Sequence, residues 1–356
     1  MCRHACPVFL STKRDTDTPR GHALLISRID EGLSEWTDDI VDIMYRCSQC
    51  HLCKEICEFH WEEDLLIQKI REIIVKIGRV PENVKKLASH IIDHGSVYNI
   101  SQIKNLKATD EGNSIDVSYF AGDIILHEYP EIVEKTGVIL DSMDINWTML
   151  EKEASTGIEL FELGYTNEAK MAAENCAARI MEIKPKIIIT GNPHIYSAFK
   201  KLYPQWGIET LNDIKIYHIS EYLNSKVREG KLKLAQDSNL FGISYHDPCQ
   251  LGREMEVYDA PRELIKAATG SMPLELFHNK REAECCGAGS VMHLTHPDVS
   301  GKVAQKRVDS ALEENARIIV TACPNCKKVL TNAILDMNSD LKVIDIVELV
   351  SLQVSN

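Results

Sequence analysis

At 356 residues the chain is too long for one ordinary domain, and at about 150 residues per domain it has room for two or three. Apolar residues at 44% and charged residues at 26% describe a globular chain and exclude disorder of the bulk. With Lys+Arg 40 against Asp+Glu 53, the net charge of −13 argues against nucleic acid or an anionic membrane surface as partner, because phosphates would repel it.

The chain holds no apolar run near 18 residues, so no membrane span is expected. Its opening, Met1-Cys2-Arg3-His4-Ala5-Cys6-Pro7, has no apolar stretch of signal-peptide type. The 12 cysteines therefore point to a reducing, cytoplasmic setting, where thiolates hold metal or do redox work. They fall in two groups: Cys2, Cys6, Cys47, Cys50, Cys53 and Cys57 at the front, and Cys249, Cys285, Cys286, Cys323 and Cys326 at the back. Cys176 stands apart in a helical stretch, Met171–Met181, and reads as core.

Residues 1–105 carry the front group on segments of helical period. Asp64–Ile74 places its apolar residues at mixed three and four spacings. Cys47-x2-Cys50-x2-Cys53-x3-Cys57 has the spacing of a bacterial ferredoxin-type [4Fe–4S] run, whose fourth cysteine ligates the other cluster of a pair. Of the second run only the tail is visible, Cys2-x3-Cys6-Pro7. Crossed wiring gives one cubane to Cys6, Cys47, Cys50 and Cys53. It leaves Cys2 and Cys57 as half of a second cubane, complete only if the native chain extends upstream. A structural zinc is the competing reading, although zinc sites favour two separated Cys-x2-Cys pairs.

The stretch 107–113 is polar and reads as a linker. Beyond it the chain repeats. Ser118–Asp123 matches Ser244–Cys249, Lys186–His194 matches Arg317–Asn325, and Ile214–Leu223 matches Leu341–Val350. Two copies of one unit follow, at 114–230 and 238–356, each of β-branched strands alternating with helices and hence α/β with a mostly parallel sheet. Each copy has a sheet face to bury against the other. In this alignment Cys249 faces Asp123, Cys285 and Cys286 face Ser155 and Thr156, and Cys323 and Cys326 face Asn192 and Ile195. The first copy has no cysteine at any of these five places. It reads as a supporting half, or as a pocket vacated for a substrate or partner.

Five back thiolates exceed what one tetrahedral zinc accepts. A multi-iron cluster can take the adjacent Cys285 and Cys286 on different irons. Cys323-Pro324-Asn325-Cys326 lies between an expected strand, Ile318–Ala322, and a helix expected near Lys327, whose N-terminus favours anionic ligands. A thioredoxin-like dithiol is the local rival. His246 stands three residues before Cys249 and either donates a proton to a leaving thiolate or bonds the turn at Pro248. Arg253 and Arg262 read as counter-charges to a cluster, as holders of an anionic substrate, or as members of ion pairs. His194, in the copy without the five cysteines, reads as structural.

The residues Tyr245-His246-Asp247-Pro248-Cys249, Pro261-Arg262, Glu284-Cys285-Cys286-Gly287-Ala288-Gly289 and Thr321-Ala322-Cys323-Pro324-Asn325-Cys326 resemble a CCG domain. With the front domain added, the chain is similar to fused heterodisulfide reductase catalytic subunits and to the iron–sulfur subunits of glycolate and lactate oxidases. The resemblance implies an α-helical ferredoxin-like domain followed by two α/β CCG-type repeats. It implies that Cys249, Cys285, Cys286, Cys323 and Cys326 bind a noncubane [4Fe–4S] cluster that reduces disulfides, fed from the front cubane.

Two functions from different classes are then expected. One is an oxidoreductase subunit acting on a small-molecule or protein disulfide. The other is a relay linking a flavoprotein dehydrogenase to a quinone or cytochrome. Either takes a flavoprotein or other electron-transfer subunit as partner, because no Gly-rich dinucleotide fingerprint is visible. A membrane cytochrome subunit is a further candidate and would place the chain peripherally on the inner face of a membrane.

Overall fold

A computed structural model describes residues 2–98 and 115–354, with Cys2 described by its backbone alone. The linker expected at 107–113 lies outside the described residues. Residues 2–98 are helical, with the helices Pro7–Thr12, Pro19–Asp30, Asp38–Tyr45, Leu52–Ile56, Glu63–Lys76 and Glu82–His94.

Local chemistry sets these helices. Thr37 caps Asp38–Tyr45 by accepting from the Ile40 amide, and Asp38 and Asp39 in the first turn complement the positive end of the dipole. Glu63–Lys76 buries Ile67, Ile70, Arg71 and Ile74, an i, i+3, i+4, i+7 stripe. That stripe packs with Ile40, Met44, Tyr45, Val84 and Ala88, and with Leu160 and Leu163 from the middle of the chain.

The remainder is α/β. Strands β1 (Val117–Phe120), β2 (Trp147–Thr148), β3 (Ile187–Thr190) and β4 (Lys215–His218) form a parallel sheet in the order β2-β1-β3-β4. Strands β5 (Ile243–His246), β6 (Ile318–Thr321) and β7 (Lys342–Asp345) form a second parallel sheet in that order. Leu274 adds a single parallel bridge beside Ser244. The strands are short and dominated by buried β-branched residues, as parallel strands covered on both faces require.

The halves meet through helices. Ile219–Arg228 packs on Asp259–Thr269, and Pro130–Asp141 on Ile346–Ser351. One apolar core runs through both, holding Tyr119 and Ile189 with Tyr245, Val320, Ile346 and Leu349.

Register places the chemistry. His246, Thr321 and Asp345 lie level at the carboxyl ends of β5, β6 and β7. The loops that follow therefore open on one edge of the sheet, which is where open α/β sheets bind ligands. The helix after β6 starts at Pro324 and not near Lys327. Proline is preorganised for the first helical position, and the Cys323 side chain accepts from the Cys326 amide as its cap.

Candidate metal centres

The front loop connects helix Asp38–Tyr45 to helix Leu52–Ile56. Gln49 at φ 46 and His51 at φ 63 both take the left-handed conformation, which lets the chain wrap tightly between the cysteines. Cys6 precedes helix Pro7–Thr12 and reaches the same place across 41 residues of sequence from Cys47. Cys6, Cys47, Cys50 and Cys53 together line one cavity, with Asp17, His22 and Glu63 also in its wall. His22 Nδ1 and Glu63 Oε1 stand 2.6 Å apart there.

Burial pushes the Cys6 thiol up to about 12 and raises those of Cys47 and Cys53. Cys57 does not line this cavity, and the backbone amides of Trp61 and Phe59 pull its thiol below the ordinary value. The expected neighbourhood of Cys57 and Cys2 falls on a side chain outside the described residues.

The back cysteines gather in one place. Cys249 packs against the small apolar cluster that holds Cys285, and Cys286 is the next residue. Cys286 Sγ lies 3.2 Å from Cys326 Sγ, and the Cys326 amide donates to Cys323 Sγ at 3.5 Å. Contact with Cys285 and Cys326 holds the Cys286 thiol well below its ordinary value, while the Cys285 and Cys326 thiols are raised. A ring nitrogen of His246 and the sulfurs of Cys286 and Cys326 all lie within 4.8 Å of one another. Arg307, fully buried, donates from Nε to His246 Nδ1 at 3.1 Å. That bond assigns the proton of the neutral imidazole to Nε2, which has no hydrogen-bond partner of its own among the described residues. Burial holds His246 below its ordinary pKa.

The two groups share a wall. Cys50 and Cys285 pack in one small apolar cluster, Cys285 Sγ lies 3.6 Å from Ser48 Oγ of the front loop, and the Cys50 thiol is raised beside Cys285. The Ser48 carbonyl presses so closely on Gly289 that a Cβ there would stand 2.3 Å from the oxygen. Arg253, on a π-helical turn spanning Gln250–Glu254, donates to the Cys50 carbonyl at 2.7 Å and the Ala283 carbonyl at 2.6 Å. It thus ties the front loop to the strand of chain entering Cys285. Arg262 instead forms a bidentate pair with Asp247 at 2.7 and 2.8 Å, reinforced by Glu275.

The donor chemistry fits iron–sulfur clusters at both places. Four thiols held above their ordinary pKa face one front cavity, and five further cysteines gather behind it. A cation with strong thiolate affinity would displace those protons and turn the thiols into ligands. Five cysteines exceed the four positions of a tetrahedral zinc.

The half that holds the first sheet has a cavity of its own. Asp123, Ser155, Thr156 and Ile195 line it, joined by Glu153 and Glu159. Glu153 accepts from the Ala121 and Gly122 amides at 2.7 Å each, and burial lifts its carboxyl to about 8. His194 turns toward Glu162 at 3.2 Å and feels the field of Cys323.

Sequence reasoning missed Arg71, Ser290 and Arg307. Arg71 is visible as a charge inside an otherwise apolar stripe. The other two carry no pattern that marks them.

Residues 243–331 match the family model of the cysteine-rich domain CCG, and residues 1–61 match that of the 4Fe-4S dicluster domain. The chain therefore carries a dicluster-type iron–sulfur domain ahead of a CCG domain. It is similar to a subunit of the dihydromethanophenazine:CoB–CoM heterodisulfide reductase of Methanosarcina acetivorans, 28% identical over 331 residues, covering 90% of this chain and 79% of that one. It is also similar to the probable iron-sulfur-binding oxidoreductase FadF of Bacillus subtilis, at 26% identity over 86% of this chain and 46% of that one. The EtfAB:quinone oxidoreductase of Syntrophomonas wolfei matches at 25% over the same shares. This is an iron–sulfur protein related to that heterodisulfide reductase component and to electron-transfer oxidoreductases, and it spans about half the length of the latter two.

Proposed function

We propose that this chain is an oxidoreductase subunit that passes electrons from a cubane [4Fe–4S] cluster on Cys6, Cys47, Cys50 and Cys53 to a noncubane [4Fe–4S] site on Cys249, Cys285, Cys286, Cys323 and Cys326. The observation that carries this reading is the packing of Cys50 with Cys285 in one apolar cluster, which puts one residue of each ligand set at the same wall. Bound there, the back cluster supplies one-electron chemistry toward sulfur. The chain's own residues do the rest. Arg307 fixes the imidazole so that His246 holds a proton at Nε2, beside Cys286 and Cys326, available to a departing thiolate. Arg253 holds the two loops at a set separation.

Residues 114–230 then act as a CCG-like copy without the five ligand cysteines, supporting the working copy at 238–356. Shared details favour duplication. Pro193 and Pro324 both open helices capped by the preceding side chain, Asn192 and Cys323. His218 with Glu221, and Asp345 with Glu348, make capping boxes at matched positions.

The second reading is a relay from a flavoprotein to a quinone or cytochrome partner. The names of relatives favour it, among them the EtfAB:quinone oxidoreductase and a probable membrane-anchored ferredoxin of Chromohalobacter salexigens. No helix among the described residues is long and apolar enough to cross a membrane. The deciding experiment mixes anaerobically reduced protein with small-molecule disulfides. Oxidation of the protein by a disulfide alone supports disulfide chemistry. Turnover that appears only with a flavoprotein and a quinone supports the relay and removes the substrate role.

A further inference from the structure

Arg71 is fully buried on helix Glu63–Lys76, and its hydrogen bonds go to neutral acceptors. Nε and Nη2 donate to the Met44 carbonyl at 3.1 and 2.9 Å, and Nη2 donates to the Cys47 carbonyl at 2.8 Å. Nη1 donates to the Glu162 carbonyl at 2.8 Å, to Gln49 Oε1 at 3.2 Å and to the Ser290 hydroxyl. The Tyr45 ring lies 5.1 Å from the guanidinium carbon. No carboxylate among the described residues pairs with it. The nearby Glu162 side chain is engaged with His194, and Glu63 with His22.

A guanidinium never gives up its proton in a protein, and a buried charge without a counter-ion is costly. Its acceptors include the backbone of Cys47 and the side chain of Gln49, which lie inside the front cysteine loop. Ser290 follows Cys285, Cys286 and Gly289 in the back loop. The charge is therefore held at the seam between the two cysteine groups, in a place built for it.

We propose that Arg71 is the fixed counter-charge of the front cluster and sets its reduction potential, at a point mechanically tied to the back loop through Ser290. The proposal rests on the assignment of a cubane to Cys6, Cys47, Cys50 and Cys53. Reduction adds one negative charge to the cluster, so a nearby cation favours the reduced form. Removing it must make the potential more negative.

The test is a redox titration of the front cluster, followed by electron paramagnetic resonance, in anaerobically loaded full-length protein. Arg71→Gln is expected to shift the one-electron reduction equilibrium at least tenfold toward the oxidised form, which corresponds to about 59 mV. Arg71→Lys, which keeps the charge, should shift it less than about threefold. If Arg71→Gln does not load, Gln49→Glu decides, because it places an opposite charge against the same guanidinium. That variant should shift the equilibrium at least about fivefold in the same direction. An unchanged potential in a loaded Arg71→Gln, equal shifts for Arg71→Lys and Arg71→Gln, or no shift in Gln49→Glu would each overturn the role. A wild type with no front-cluster signal would instead overturn the ligand assignment.

Discussion

Cys286 and Cys53 are the residues whose loss separates the two centres most cleanly. Cys286 sits among the back cysteines, and Cys53 faces the front cavity without touching the back group in any contact described above. Cys286→Ser should abolish the back-cluster signal and leave the front one. Cys53→Ser should do the reverse. Paramagnetic resonance spectra of both variants against wild type check this, and loss of both signals in either variant would argue for one merged centre. Gly289 gives a steric test at the same scale. Its missing Cβ leaves room for the Ser48 carbonyl, so Gly289→Ala forces the two loops apart. Overpacking of this kind should cost about 1–3 kcal/mol, read from denaturant midpoints.

Single residues also mark the limit of sequence reading. The spacing of the cysteines makes both groups legible, because cluster chemistry dictates spacing. The meeting of Cys50 with Cys285 is not legible, since 235 positions separate them and nothing local encodes the approach. Arg71 is a findable case. A charged residue at the i+4 place of the stripe Ile67, Ile70 and Ile74 breaks the apolar pattern, and such breaks fall at functional or strained sites.

Elements explain how the loops are aimed. Three short strands ending level put Cys249 and Cys323 at one edge, and the helix from Pro324 closes the Cys323–Cys326 turn. The strand segments are readable as matched β-branched runs. The helix starts three residues ahead of its expected place, because Pro324 serves as a first helical position and not as a loop residue.

In the half that holds the first sheet, helix Pro193–Ser197 carries His194 against Glu162. Burial opposes the charged imidazole, but the Glu162 carboxylate outweighs it and lifts His194 to about 9 from an ordinary 6.5. A raised folded-state pKa contributes stability that is fully present below pH 6.5 and lost as pH rises through about 9. His194→Gln should therefore lower the melting temperature most at pH 6 and progressively less toward about pH 9.5. A difference from wild type that stays constant across that range would contradict the pairing.

At the scale of the molecule, the chain places a helical front against a pair of parallel α/β sheets so that two sets of thiols share one wall. Helix Pro7–Thr12 packs on helix Pro297–Glu313, which carries the cysteine-run tail at Cys6 onto the CCG half. A small cluster of Ala5, Val8, Cys50, Leu52, Cys285, Met292 and Val303 seals that junction. The organisation predicts metal content as well as geometry. Loaded protein should carry about eight irons, four for each of two clusters, and be brown and oxygen-sensitive. Elemental analysis showing one or two zinc ions in a colourless protein would exclude it.

The account stands on two iron–sulfur centres close enough to exchange electrons directly. An anaerobic reductive titration of the wild-type chain, followed by paramagnetic resonance, tests this most directly. Two distinct signals are expected, each broadened by the other once both centres are paramagnetic, with the mutual broadening absent in Cys286→Ser. Two signals that never influence one another, or a single signal that survives unchanged in Cys286→Ser, would contradict it.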